Sequence, residues 1–410
     1  MTIAIIITIC SLLLLAYIFD LTSSKTKIPS VILLLFLGWG VKQVADFFEL
    51  QIPDLTSLLP IFGTIGLILI VLEGSLELEL NKSKIPLIKK SLLVAVLPLV
   101  VLSIVLAIAF RYVGHFSFKD SLINAIPLCV ISSAIAIPSA KNLLKSDREF
   151  ITYETSLSDI IGVILFDFFA LNETIDFSSF GHFGLQLVII LIISFVATLG
   201  LAFLLSKIDH HIKFAPIVVL IILIYVVSKV FHLPALIFIL LFGLILGNID
   251  ELRKYKWIER AKPDELIKEV HRFKEIISEG TFLIRTIFFL LFGYLINTTE
   301  IINLETIPWS LGIVVLIYLL RFAQLKLVNL VIEPLVWMAP RGLITILLFL
   351  AIKPGQTIAL VNNSLIIQVI ILTALLMMLG LMRNKSTSTT PIRTIDGNPT
   401  PSIKNDIVNV

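Results

Sequence analysis

Charge, cysteine and histidine are all scarce in this chain, and each scarcity closes off a class of function. Only 15% of the 410 residues are charged, with 32 Lys and Arg against 29 Asp and Glu. A net charge of +3 offers no basic field for a nucleic-acid backbone. The two cysteines, Cys10 and Cys129, both stand in apolar runs. They are too few for a disulfide framework and lack the spacing of a metal site. All six histidines (His115, His182, His210, His211, His232 and His271) fall in connections or at the edges of apolar runs. Serine or metal chemistry inside a membrane normally wants a buried histidine, and an aspartyl protease wants two facing aspartates. An enzyme is therefore not expected, nor is a cofactor. No short-period repeat is present.

What the chain has in abundance is apolar length. It is 58% hydrophobic, with a mean hydropathy of +1.03, which a soluble protein of this size does not tolerate. A span needs about 20 mostly apolar residues. Such stretches lie near 2–19, 28–46, 57–78, 91–112, 121–143, 151–171, 182–206, 214–231, 233–249, 278–296, 306–329, 334–352 and 360–382. No basic segment precedes the first, so it reads as a true span and not as a cleaved leader. The expected fold is an all-α polytopic membrane protein of about 13 transmembrane helices.

The basic residues test this map. Twenty-four of the 32 Lys and Arg fall in the odd-numbered connections and the C-terminal segment, and five in the even-numbered ones. The remaining three, Arg285, Arg321 and Arg341, lie inside spans. The positive-inside rule then places the N-terminus outside and the C-terminus in the cytoplasm, with a bacterial inner (plasma) membrane as the expected setting. Residues 250–277 are charged and amphipathic. They read either as a cytoplasmic surface helix broken at Pro263 or as a solvated linker joining two bundles. Residues 383–410 form a polar tail without periodicity, expected to be disordered.

Charges at mid-bilayer are costly, so each asks for a reason. At a rise of about 1.5 Å per residue, Asp159 lies roughly 12 Å into the sixth span and Glu154 roughly 5 Å into the same helix. Arg321 sits roughly 12 Å from the cytoplasmic end of the eleventh span. Glu154 and Arg321 thus share one half of the membrane and pair if their helices are neighbours. Asp159 is then left without an obvious cationic partner, and Ser158 precedes it where a second carboxylate would otherwise stand. Such a lone carboxyl group can hold H⁺ at one stage and a dehydrated cation at another, but not both together, and this competition couples two fluxes. The plain alternative is a protonated Asp159 bonded to a neighbouring carbonyl.

The fifth span supplies complementary polar groups in Ser132, Ser133 and Ser139, and Pro138 frees a carbonyl one turn earlier. Broken helices in a transporter present such carbonyls and hydroxyls to a cation, although an ordinary proline kink has the same signature. The twelfth span carries a matching break, Pro340-Arg341-Gly342. Interruptions at corresponding positions point to inverted repeats, here spans 4–6 and 11–13.

At these residues the chain resembles the monovalent cation:proton antiporter superfamily, and in particular its sodium/proton exchanger branch. YETSLSDIIGVILFDFF is similar to the branch's Glu-Ser-x-x-Asn-Asp span, with Glu154, Ser158 and Asp159 at its Glu, Asn and ion-binding Asp. LILIVLEGSLELEL resembles the family's Leu-Glu-Gly-Leu-Glu-Leu-Asp-Leu segment with one extra serine. IYLLRFAQLKLVNL carries Arg321 where the family places the arginine that pairs with its Glu, and APRGLITILLFLAI is similar to the Pro-Arg-Gly span that follows. The resemblance covers nearly all of 1–382, which would form the transmembrane antiporter domain. It implies a homodimer in the lipid bilayer and two broken helices crossing beside Asp159. It also implies a core domain (about 91–171 and 306–382) sliding against a dimer domain made from most of the rest, with 250–277 connecting them. Two departures stand out: Ala136-Ile137-Pro138 replaces the frequent Thr-Asp-Pro, and Ser158 replaces Asn. Ser132 and Ser133 are the candidates to compensate.

The expected activity is exchange of a monovalent cation, Na⁺ or else K⁺ or Li⁺, for H⁺. It is electroneutral if Asp159 alone changes state. A channel or uniporter for another solute is the rival reading. Of the other charges, Glu73 and Arg285 are expected to form a structural pair. Arg341 either neutralises helix ends at the crossover or senses pH, or else it snorkels to the cytoplasmic surface. Asp167 is expected near the outer mouth, where it could guide cations.

Overall fold

The computed structural model describes residues 2–26, 28–49, 54–172, 177–207, 213–252 and 263–383. The expected disordered tail beyond 383, and residues 253–262 of the connecting segment, lie outside the described residues. Within them all regular structure is helical. The first half of the chain forms α1 (Thr2–Thr26), α2 (Ser30–Phe47), α3 (Leu58–Glu77), α4 (Ile85–Gly114), α5 (Phe118–Cys129), α6 (Ser133–Ser139) and α7 (Lys145–Leu171). Next come α8 (Phe177–Lys207), α9 (Phe214–Val230), α10 (Leu236–Gly247), α11 (Ile249–Leu252) and α12 (Pro263–Leu295). The chain closes with α13 (Thr298–Ile301), α14 (Ile307–Leu327), α15 (Leu343–Leu350) and α16 (Asn363–Arg383).

The apolar stretches read from the sequence fall mainly on helix, with those at 121–143 and 334–352 interrupted. Among the described residues eight helical segments, with α5 and α6 taken as one, are long and apolar enough to cross a membrane. Three shorter apolar ones (Ile7–Ser23, α9 and α10) accompany them. The outer face of α8 shows why water is the wrong solvent: Val188, Ile192, Phe195, Val196 and Phe203 are all exposed, a continuous apolar stripe that suits lipid.

The charged segment before the tenth span corrects one expectation. Residues 263–277 form neither a separate surface helix nor a linker. They are the first turns of α12, a 33-residue helix roughly 50 Å long. Pro263 starts this helix instead of breaking one, since a proline in the first turn loses no intrahelical bond. The extension is fixed by its own amphipathic face: Leu266, Val270, Phe273 and Ile277, at helical spacing, are buried. Phe273 packs against Phe214 and Phe242, and Glu269 pairs with Lys213 (2.6 Å) at the foot of α9.

The helices pack in two groups. In one, α2, α3, α10 and α12 lie against each other, with α1, α8 and α9 flanking them. In the other, α4 packs on α5, α7 and α14, with α6, α15 and α16 completing the group. Helix α3 touches both α7 and α15 and is the main seam between the groups.

A proline inside α4 shows how closely the second group is tied. Pro98 has no N–H and leaves the carbonyl of Val94 without its helical donor. The side-chain amide of Gln324, on α14, donates to that carbonyl. We therefore expect Gln324→Leu to cost about 1–3 kcal/mol, because it strands a buried carbonyl. Adding Pro98→Ala to the same chain restores the helical donor and recovers most of the loss. Thermal unfolding of the detergent-solubilised variants measures both effects.

Candidate functional site

Two interrupted helices meet at the centre of the second group. Helix α5 stops at Cys129, residues 130–132 run extended, and α6 begins at Ser133. Opposite, a 3-10 turn at Leu335–Trp337 gives way to the non-helical stretch 338–342, and α15 begins at Leu343. The first interruption lies earlier than Pro138 suggested. Pro138 sits inside α6, while the chain leaves the helix where other partners wait for its backbone. The N–H of Ile131 donates to Ser158 Oγ (3.1 Å), and the N–H of Ser132 donates to the carbonyl of Pro340 (2.9 Å). One interrupted strand thus bonds directly to the other. The second interruption does fall on Pro340, Arg341 and Gly342. A Cβ on Gly342 would meet Ile135 Cδ1 at 2.6 Å and Ser132 Oγ at 2.9 Å, so only glycine allows this approach.

Arg341 faces the crossing and is 2% exposed, so it does not snorkel. Its guanidinium donates to the carbonyls of Leu128 (2.8 Å), Cys129 (3.2 Å) and Ala339 (2.8 Å). These include the last carbonyls of α5, where a positive charge complements the helix dipole. Its own N–H donates to Thr373 Oγ1 (3.0 Å) on α16.

Helix α7 passes this crossing and carries the acidic residues. Glu154 is fully buried and Arg321 is 3% exposed. Their bond is two-pronged: Nη1 to Oε1 at 2.6 Å and Nη2 to Oε2 at 3.0 Å. Arg321 Nε donates to the carbonyl of Leu335 (2.7 Å), so the pair also pins the second interruption. Asp159 is 1% exposed. Its Oδ2 accepts from the hydroxyl of Ser133 and, at 3.4 Å, from the Ser133 N–H. Among the described residues its Oδ1 has no hydrogen-bond partner, and neither does the buried Oγ of Ser132. Ser158, expected beside the ion, is instead occupied with Ile131.

A cavity of about 880 Å³ approaches this point. Its lining includes Glu73, Glu77, Lys141 and Arg285 together with Ser133, Ile137 and Pro138. The expected Glu73–Arg285 pair is not formed among the described residues. Glu73 accepts from Ser278 Oγ (2.6 Å), while Arg285 lies 3.9 Å from Asp20, which also meets Lys141 at 3.5 Å. Asp20 was missed because it falls just past the apolar stretch of the first span. Its signal was that α1 otherwise carries no acid. Near the other end of α7, Asp167 lines a separate cavity of about 210 Å³ with Gln186, His232 and Lys353.

The family model for "Sodium/hydrogen exchanger, transmembrane" matches residues 10–383. The chain belongs to the sodium/hydrogen exchanger family. Two solved structures of the sodium proton antiporter MjNhaP1 from Methanocaldococcus jannaschii share the exchanger's fold. One, at pH 8, has a TM-score of 0.62 and 18% identity over 93% of this chain and 96% of that one. The other, an electron-microscopy map, has a TM-score of 0.66 and 17% identity over 96% and 100%. No curated protein matches. The exchanger is thus an integral multi-pass membrane protein that carries out cation/proton antiport, a transporter and not an enzyme.

In this exchanger, Arg321→Met should destabilise strongly, by about 3–5 kcal/mol, because Glu154 is left buried without its partner. The double variant Glu154→Leu, Arg321→Met should recover much of that loss. Thermal midpoints of the purified single and double variants check this expectation.

Proposed function

We infer that the exchanger couples H⁺ to Na⁺ through competition for Asp159. One observation carries this reading: among the described residues Asp159 Oδ1 is buried and unpartnered, while Oδ2 is held by Ser133. A desolvated carboxyl oxygen of this kind suits either a proton or a small dehydrated cation. Glu154 is committed to Arg321, so one carboxylate changes state in the cycle. One H⁺ against one monovalent cation makes the exchange electroneutral.

The 880 Å³ cavity, lined by Lys84, Lys141, Lys145 and Arg148 toward its mouth, fits a cytoplasmic entrance under the positive-inside rule. The N-terminus is then outside and the C-terminus inside. Alternating access follows if the second helix group, with Asp159, moves as a core against the first group. The first group then serves as the dimer domain of a homodimer, in a bacterial inner membrane.

Reconstituted vesicles test the reading. With an imposed pH gradient, Na⁺, Li⁺ or K⁺ should collapse the gradient in wild type, and Asp159→Asn should reduce the response to that of empty vesicles for every cation. The wild-type rate should not change when a membrane potential is imposed. Exchange retained by Asp159→Asn would remove Asp159 from the cycle, and a voltage-dependent rate would break the one-for-one count.

A further inference from the structure

Arg285 places a positive charge on the same cavity that is lined by Ser133, the residue bonded to Asp159. It is 9% exposed and stands on α12, in the first helix group. Its depth follows from its neighbour Ile284. A Cβ on Gly66 of α3 would lie 3.4 Å from Ile284 Cγ2 and 3.6 Å from Leu343 Cδ1. Leu343 opens α15 directly after the second interruption, so Arg285 stands near the depth of the crossing. A positive charge held there opposes the entry of a cation. Among the described residues one carboxylate forms an ion pair with Arg285, that of Asp20 on α1, at 3.9 Å. Asp20 also faces Lys141, just past α6, at 3.5 Å, and accepts from Ser30 Oγ at 3.4 Å. One carboxylate thus answers two basic groups, one from each helix group. The rest of the lining holds no surplus of negative charge. Six acidic and six basic side chains line the cavity, and among these Glu77 lies 3.8 Å from Lys274 while Glu149 pairs with Lys84. Without Asp20 the bases outnumber the acids.

We propose that Asp20 is the counter-charge that keeps the cytoplasmic cavity open to cations, by cancelling the repulsion of Arg285 and Lys141. This rests on Asp159 being the exchange site and on the cavity being its cytoplasmic entrance. Asp20 acts through its field and touches no transported ion. Two consequences separate this role from that of a structural ion pair. Asp20 and Arg285 contribute fields of opposite sign, so removing one has the opposite effect to removing the other. The field also acts equally on H⁺ and on a monovalent cation, because the two carry the same charge. Where protons compete for Asp159, both guests are weakened together and the apparent cation affinity does not move. The effect of Asp20 on cation affinity therefore shows at alkaline pH, where protons no longer compete, and cancels at acid pH.

Everted membrane vesicles carrying the full chain, from a host without Na⁺/H⁺ exchange of its own, present the cytoplasmic face to the medium. KM and the maximal rate for Na⁺ are measured there across the pH range. At alkaline pH, Asp20→Asn should raise KM by roughly tenfold, the lower end of what a focused field contributes, while the maximal rate holds. Arg285→Gln should lower KM, and the double variant should return it close to the wild-type value. At acid pH all three variants should have the wild-type KM. An ion pair that merely fastens α1 to α12 would act differently. Both single variants would then lower the thermal midpoint and either leave KM alone or shift it in the same direction, and each of these results overturns the proposal. If Arg285→Gln gives no folded protein, Asp20→Glu takes its place, since it keeps the charge. A KM near wild type then supports the counter-charge, and a KM raised as far as in Asp20→Asn refutes it. Asp159→Asn run beside these separates the two readings. Exchange retained there removes the site and with it the role of Asp20. Exchange abolished there, with KM unchanged in Asp20→Asn at alkaline pH, removes the counter-charge only.

Discussion

Backbone groups released inside a membrane must find partners in the protein, because lipid offers none. Two helices of this exchanger are interrupted at the centre of the molecule, and nearly every polar side chain nearby answers that demand. Arg341 satisfies the carbonyls that end α5, and Ser158 takes the N–H of Ile131. Arg321 holds the carbonyl of Leu335 while it binds Glu154, and Ser132 and Pro340 satisfy each other across the crossing. Asp159 Oδ1 and Ser132 Oγ are among the buried atoms of the described residues that find no such partner, as are Thr345 Oγ1 and Gln324 Oε1 in the same helix group. What distinguishes Asp159 is that its unpartnered atom belongs to a carboxyl group.

The same accounting explains which features the sequence disclosed. Glu154 and Arg321 were legible as a pair because an arginine deep in a span needs an anion, and the two depths agreed. Asp159 was legible because no partner remained for it. The second interruption announced itself through Pro340, Arg341 and Gly342 together. Its counterpart was misplaced because Pro138 reports only a missing donor, whereas the chain leaves a helix where outside groups accept its backbone. Those groups, Ser158 and the Pro340 carbonyl, come from distant parts of the sequence. The Glu73–Arg285 pairing failed for a related reason. Depth along an axis says how far a charge lies from the surface, but not which helix faces it, and Asp20 on α1 lay closer to Arg285. The charged start of α12 was set apart by hydropathy, although Leu266, Val270, Phe273 and Ile277 already carried the periodicity of one continuous helix.

Connections within each helix group differ in kind from those between them. The second group is stitched by buried bonds: Gln324 to Val94, Arg341 to Leu128 and Tyr318 to Thr373. At its other end Gln356 ties the close of α7 to the start of α5, donating to the Ala170 carbonyl while its own carbonyl accepts from Asn124. Across the seam the helices approach closely at Gly63 and Gly74 of α3, and beyond the end of α3 Tyr153 donates to the Glu79 carbonyl, but the ion pair there is weak. Lys141 meets Asp20 at 3.5 Å with most of the lysine in water, and such a pair is worth little. A body fastened internally by buried bonds is suited to moving as a unit, which is what the proposed carriage of Asp159 from one side to the other requires.

Charge completes this argument. Glu154 and Arg321 cancel, and Arg341 spreads its charge over three carbonyls that belong to the moving body. On the proposed reading neither contribution varies when the core shifts, because every partner shifts with it, and Asp159 alone alters its charge, by releasing or accepting a proton or a cation. An empty, ionised Asp159 would have to carry an uncompensated charge past the apolar seam, and that is costly in a low dielectric. In the proposed cycle either occupant removes the cost, so the loaded forms would cross and the empty one would not. Strict exchange, as opposed to leak, would then need no separate gate: it would follow from one buried carboxyl group that must be filled before it can cross.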